Sequence, residues 1–112
     1  MANLTFEEPM QQANTVRVRV RFMGDLRAVV ESRDLSISLP QGSSVGDLLG
    51  SLAGRYGDPF AKWLFTESGE LHHYILIFVN GENIQDTGGV STGLAGQDDQ
   101  VEVIMLPMFE GG

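Results

Sequence analysis

The chain has 112 residues, of which 42% are hydrophobic and 20% charged, a mix suited to one globular domain that buries roughly two thirds of its unfolded surface. It has no cysteine, which excludes a disulfide scaffold, a thiolate metal site and a thiol nucleophile. The net charge of −8 is uneven: residues 1–63 carry seven acidic and seven basic groups, whereas residues 64–112 carry eight acidic groups and no Lys or Arg.

In chain order, residues 1–14 show no clear period and are expected to form a flexible N-terminal arm. "TVRVRVRFM" then alternates strictly, with Val16, Val18, Val20 and Phe22 on one side and Arg17, Arg19 and Arg21 on the other. This predicts a half-buried strand whose arginines serve as cross-strand partners for acids. Residues 24–34 read as a wide turn with a small apolar patch at Leu26, Val29 and Val30. "LSISLP" predicts a second alternating strand with Leu35, Ile37 and Leu39 inward.

Ser44 and Asp47 have the spacing of a capping box. After them Val45, Leu48, Leu49, Leu52 and Tyr56 form one apolar stripe of a helix that Gly57 ends. Gly46, Gly50 and Gly54 recur every four residues in that helix, but Asp47 and Arg55 interrupt any membrane span, and no role is assigned to them. Asp58 and Pro59 predict the cap and first position of a short second helix, with Phe60, Trp63 and Leu64 on one face. "TESGE" reads as a turn. "YILIFV" is a nearly continuous run of β-formers, the mark of a central strand covered on both sides. Asn80 and Gly81 turn the chain into a short strand at "ENI". A loop follows, with Leu94 as its anchor, and "QVEVIM" alternates as a last strand that Pro107 ends.

Strand, strand, helix, strand, short strand, strand is the plan of an α+β fold of the β-grasp, or ubiquitin-like, type. The expectation is a mixed sheet of four to five strands packed on one main helix plus a short second helix. The domain is placed at residues 15–107, with 108–112 as a flexible C-terminal Gly-Gly tail.

No catalytic centre emerges. Gly88 to Gly93 has the glycine spacing of a phosphate loop, but Leu94 and Ala95 stand where a Lys and a Ser or Thr are needed. His72 and His73, the only histidines, would point to opposite faces of a strand, and no metal site is expected. The longest apolar run, Tyr74 to Val79, is far too short to span a membrane. A soluble, cytoplasmic protein without nucleic-acid or membrane partners is therefore expected, whose acidic half would attract a basic protein partner.

The terminus carries what chemistry there is. Gly111 and Gly112 lack Cβ atoms, so the tail suits a narrow channel, and the Gly112 carboxylate is an unhindered acyl group once activated elsewhere. From Val16 to Gly112 the chain resembles the MoaD/ThiS-type ubiquitin-like sulfur carriers. "SSVGDLLGSLAGRYGD" is similar to their helix segment. "GELHHYILIFVNGENIQDTGGVSTGLAGQDDQVEVIMLPMFEGG" is similar to their longer branch, which includes carriers for cysteine synthesis. The shared order is Val79-Asn80, Gly88-Gly89, Asp98 or Asp99, the strand at 101–105, Pro107 and Gly111-Gly112. Two departures are a longer final turn at "QDD" and "MFE" before the glycines, which bears on the identity of the cognate partner.

The resemblance implies that an ATP-dependent, ubiquitin-activating-like enzyme adenylates Gly112. A sulfur donor (a desulfurase, a rhodanese or a sulfide source) then makes the thiocarboxylate, and a biosynthetic enzyme accepts the sulfur. The chain itself would be a carrier or a small subunit, not an enzyme, and would bind no cofactor of its own. Gly111, Phe109 and Pro107 would form the tail that enters the partner's active site. The rival readings are a protein modifier joined through Gly112 to target lysines, and a β-grasp interaction module whose terminal glycines are incidental. Lys62 is the sole lysine, so self-linked polymers would have one site.

Overall fold

A computed structural model describes residues 14–31 and 34–108. The expected arm, apart from Asn14, lies outside these residues, as do Phe109, Gly111 and Gly112 of the expected tail.

Five strands form one mixed sheet: β1 (Thr15–Phe22), β2 (Asp34–Pro40), β3 (Ile75–Val79), β4 (Glu82–Asn83) and β5 (Gln100–Pro107), in the spatial order β2-β1-β5-β3-β4. β1 runs antiparallel to β2, with Val18 opposite Ile37, and parallel to β5, with Val18 opposite Val101. β3 runs antiparallel to β5, with Ile77 opposite Met105. The strand that leads into the tail is therefore at the centre, bonded on both sides. This is the expected α+β, ubiquitin-like arrangement.

Three helices lie against one face: α1 (Leu26–Val30), α2 (Val45–Tyr56) and α3 (Asp58–Leu64). The capping box forms: Ser44 Oγ accepts from the Asp47 N–H at 3.2 Å and the Asp47 carboxylate accepts from the Ser44 N–H at 2.9 Å. Gly57 closes α2 at φ +84°, a left-handed conformation that glycine adopts without a Cβ penalty. The α2 stripe buries Val45, Leu48, Leu49 and Leu52 against Val18, Val20, Ile77 and Val103, each contributing about 1.5–3 kcal/mol of hydrophobic stabilisation. Phe22 joins the layers, with its ring edge-on to both Tyr56 and Phe60 at 6.1 Å.

Four expectations need correction. Residues 26–30 form a short helix, not a turn; Leu26 and Val30, one helical turn apart, are both buried, so tertiary burial holds a segment too short to be helical alone. Asp58 does not cap α3, since Gly57 occupies the cap position and no side chain bonds there. On β2, an edge strand with one neighbour, Leu39 is buried but Leu35 and Ile37 only half-buried. On β3 the burial alternates: Ile75, Ile77 and Val79 are buried, Leu76 and Phe78 half-buried. The helices cover one face of this strand, not both.

Candidate functional site

Of the expected tail residues, Pro107 is described. It is the last residue of β5, buried, and opposite Ile75, so it belongs to the ladder it was expected to follow. Its missing N–H costs nothing at that end position. The next residue, Met108, donates its N–H to the Tyr74 carbonyl at 2.6 Å, and its side chain is 48% exposed. From the other side, the Met23 N–H donates to the Met105 carbonyl at 2.9 Å. Gly24, at φ +60°, passes close enough that a Cβ there would sit 3.3 Å from Pro107 Cγ. The root of the tail is thus held between the end of β1 and the start of β3.

Tyr74 supports the root further. Its ring is stacked on His72 at 4.6 Å and 12°, with His73 at 6.0 Å and 64°. The two histidines lie in a turn before β3 and flank one tyrosine; they are not on a strand as expected. Among the described residues no group of three His, Cys, Asp or Glu side chains could hold a metal ion.

The motif residues upstream of the tail position β5. Asn80 adopts φ +50° in the turn after β3. Its Nδ2 donates to the Ala95 carbonyl at 2.9 Å, and its Oδ1 accepts from the Glu102 N–H at 3.0 Å. The Asn80 N–H itself reaches the Glu102 carbonyl at 2.8 Å. One side chain therefore pins the 95–99 turn to the start of the last strand. Gly96 sits beside this clamp, and a Cβ there would overlap the Gln100 carbonyl oxygen. Sequence reasoning missed Gly96 and Tyr74; no motif marks either, because their roles arise from contacts across the sheet. Gly88 and Gly89 take φ +122° and +63° in a turn closed by the Thr87 and Thr92 hydroxyls, 2.9 Å apart. Leu94 anchors the loop as expected, buried, with its N–H on the Ser43 carbonyl at 2.9 Å.

The charges are distributed by face. Arg17, Arg19 and Arg21 all point outward from β1, away from the helices, and are exposed. The expected cross-strand pairing is realised, among the described residues, in a single ion pair: Arg19 with Asp34 at 3.6 Å. Both partners are more than two-fifths exposed, so the pair contributes roughly 0–1 kcal/mol. Elsewhere an apolar cleft of about 550 Å³ lies between α2 and residues 65–90, lined by Leu49, Phe65, Leu71, Ile84 and Val90. Glu70 is its one ionisable lining group, so it offers no acid/base pair. No helix of the described residues is long and apolar enough to cross a membrane.

The arrangement is a rigid sheet that holds a strand end, rather than a pocket that holds a substrate. The chain is 30% identical over 97 residues to small archaeal modifier protein 3 of Haloferax volcanii, covering 87% of this chain and the whole of that protein. It is 31% identical over 72 residues to the sulfur carrier protein CysO of Mycobacterium tuberculosis, covering 63% of this chain and 74% of that one. Its fold matches the crystal structure of SAMP1 from Haloferax volcanii with a TM-score of 0.71 and 26% identity, over 86% of this chain and 99% of the other. The model of the ThiS family matches residues 20–112, from the last three residues of β1 through both terminal glycines, and the chain belongs to that family.

Proposed function

We propose that this protein is a cytoplasmic sulfur carrier. In this reading the Gly112 carboxylate attacks the α-phosphorus of ATP on an activating enzyme, pyrophosphate leaves, and a glycyl adenylate forms. Sulfide then displaces AMP to give the thiocarboxylate directly, or a donor persulfide displaces AMP to give an acyl disulfide that a second thiol cleaves, leaving the thiocarboxylate and a donor disulfide; the thiocarboxylate delivers sulfur to a biosynthetic enzyme. Gly111 lets the tail pass a narrow channel, Phe109 gives the partner a side chain to grip, and Pro107 fixes where the tail departs. The chain acts as carrier, not catalyst: ATP belongs to the activating partner, and the sulfur atom replaces a carboxylate oxygen, so no cysteine is needed.

The observation that carries this reading is the family match through Gly112, combined with a root that is held on both sides at Pro107 and Met108. The test is the intact mass of the protein recovered from its native cells under mild, thiol-blocking conditions. A C-terminal peptide heavier by one sulfur-for-oxygen exchange is the expected result. Free carboxylate alone, together with larger adducts that carry Gly112 on lysine side chains, would instead establish the second reading, a protein modifier. That second reading is favoured by the full-length similarity to a small archaeal modifier protein. Deleting Gly111 and Gly112 abolishes either activity and leaves the fold intact.

A further inference from the structure

Asn80 and Gly81 form the only Asn-Gly pair of the chain; Asn3, Asn14 and Asn83 precede Leu, Thr and Ile. A glycine nitrogen has no neighbouring side chain to shield it, so an Asn before Gly is the asparagine most open to attack by its own backbone. Both residues are exposed, and nothing lies within 4 Å of the place that a Gly81 Cβ would take. Sterically, the Gly81 nitrogen is free to react.

The fold holds the Asn80 amide at both ends. The turn has Asn80 at φ +50° and Gly81 at φ +89°, the positive pair of a two-residue hairpin between Val79 and Glu82. Nδ2 donates to the Ala95 carbonyl at 2.9 Å, and Oδ1 accepts from the Glu102 N–H at 3.0 Å. Both partners are backbone groups of the chain that enters β5, so the restraint exists only while the head of β5 is docked. Gly96 leaves room for it: a Cβ there would overlap the Gln100 carbonyl oxygen and stand 3.3 Å from Asn80 Nδ2.

We propose that Asn80 is a site of spontaneous covalent modification, deamidation through a cyclic imide, and that the docked head of β5 is what withholds the reaction. The Gly81 nitrogen gives up its proton and attacks Asn80 Cγ. The Cγ–Nδ2 bond breaks, and Nδ2 leaves as ammonia with that proton. Water then opens the ring: addition at Cγ gives an aspartyl residue, and addition at the Asn80 backbone carbonyl gives isoaspartyl, in which the main chain runs through Cγ. Water is the only co-reactant, and nothing is oxidised or reduced. Ring closure swings Cγ onto the Gly81 nitrogen and takes Nδ2 and Oδ1 off Ala95 and Glu102, so local opening of the clamp comes first.

The product cannot rebuild the clamp. An aspartyl carboxylate still accepts from the Glu102 N–H, but it turns an oxygen instead of a donor toward the Ala95 carbonyl. The isoaspartyl form adds a methylene to the main chain of a two-residue turn, which moves Val79 and Glu82 out of register. The hollow beside Asn80 holds Arg17 and Arg19 as well as Asp34 and Glu102, so the new charge meets both signs there. The lost donor, not the charge, sets the damage. The change is one-way, and it accumulates in chains whose last strand has come loose.

The test incubates the full-length chain in warm, mildly alkaline buffer, with and without denaturing urea, and follows the NH2-to-OH mass change at residue 80 by peptide fragmentation. Isoaspartyl is counted by enzymatic methylation of its α-carboxyl. The denatured chain should react about tenfold faster than the native one, or more, a ratio that reports how rarely the clamp opens. Native Gly96→Ala should react faster than native wild type, with the two equal in urea. Should Gly96→Ala not fold, wild type in urea below its midpoint replaces it, and its rate should rise together with amide exchange at Glu102. Asn80→Gln, which needs a larger ring, should show no mass change. Native and denatured rates that agree, or a native rate that ignores exchange at Glu102, overturn the inference. So does a mass change that persists in Asn80→Gln, which would place the reaction elsewhere. A reacted and refolded pool that melts and exchanges like fresh protein likewise overturns it.

Discussion

The two faces of the sheet have the same strands and alternate residue by residue, yet they stand in opposite environments. Facing the helices are Val18, Val20, Phe22, Ile77, Val103 and Met105, all at most 1% exposed. Facing outward from the same strands are three arginines, Leu76, Phe78, Ile104 and Leu106, none of them fully buried. A period-2 pattern assigns residues to faces but not the covering of each face. Helices were available for one side only, so the apolar residues of the other are a surface property and not part of the core. Burial is thereby concentrated on one side of a single sheet.

That separation can be broken from the inside first. Phe22→Ala removes the ring that joins β1 to α2 and α3, and should cost about 3–5 kcal/mol in urea unfolding, with loss of the cooperative melt at high temperature. An unchanged midpoint would show that the helices pack without it. Next is Gly96→Ala, whose new methyl must displace the Gln100 carbonyl at the head of β5. The expected cost is about 1–3 kcal/mol, with faster amide exchange at Glu102 and Asn80. Exchange rates like those of wild type would mean that the turn absorbs the methyl without disturbing the last strand.

Asp47→Ala removes one half of the capping box on α2 and should lower stability by about 1 kcal/mol, read as a small drop in the melting midpoint. Phe78→Ser on the outward face is expected to cost about 1 kcal/mol in the same urea titration, well below Phe22→Ala although it also deletes a large ring, because Phe78 is only half-buried. If Phe78→Ser proves as damaging as Phe22→Ala, the two faces are not distinct in the way the burial pattern implies.

Much of this was legible beforehand. "TVRVRVRF" and "QVEVIM" alternate so strictly that strand, inward face and arginine row could all be read from the letters, and the Ser44–Asp47 spacing gave the start of α2. What could not be read depended on partners distant in the chain. "YILIFV" looks like a strand covered on both sides because every residue is apolar; only the placement of the helices shows that Leu76 and Phe78 face outward. Leu26 and Val30 read as an apolar patch, but their helical geometry comes from burial in the core, which local propensity does not encode. The arginines invite a search for acidic partners, and the acids opposite them in the ladder are Asp34 and Glu102; Glu67, Glu70, Asp86, Asp98 and Asp99 lie outside the strands, and Glu82 is on β4.

Asn80 illustrates a different limit. Its place after β3 and before a glycine marks a turn, and the family pattern includes it. Its side chain, however, reaches Ala95 and Glu102, fifteen and twenty-two residues on. No local signal in the sequence reports such a contact. The chemistry expected at Gly112 comes from the family resemblance and the unhindered terminal carboxylate, and that residue lies outside those described.

The central position of β5 also bears on synthesis. Val18 pairs with Val101, so the first strand waits for nearly the whole chain to be made before its inner neighbour exists. Until then β1 has β2 on one side and an open edge on the other, and β3 lacks the strand that joins it to the rest. Pairings this distant in the chain slow folding, because a long loop must close before the contact is gained. A product that stops short of β5 lacks the strand that joins β1 to β3.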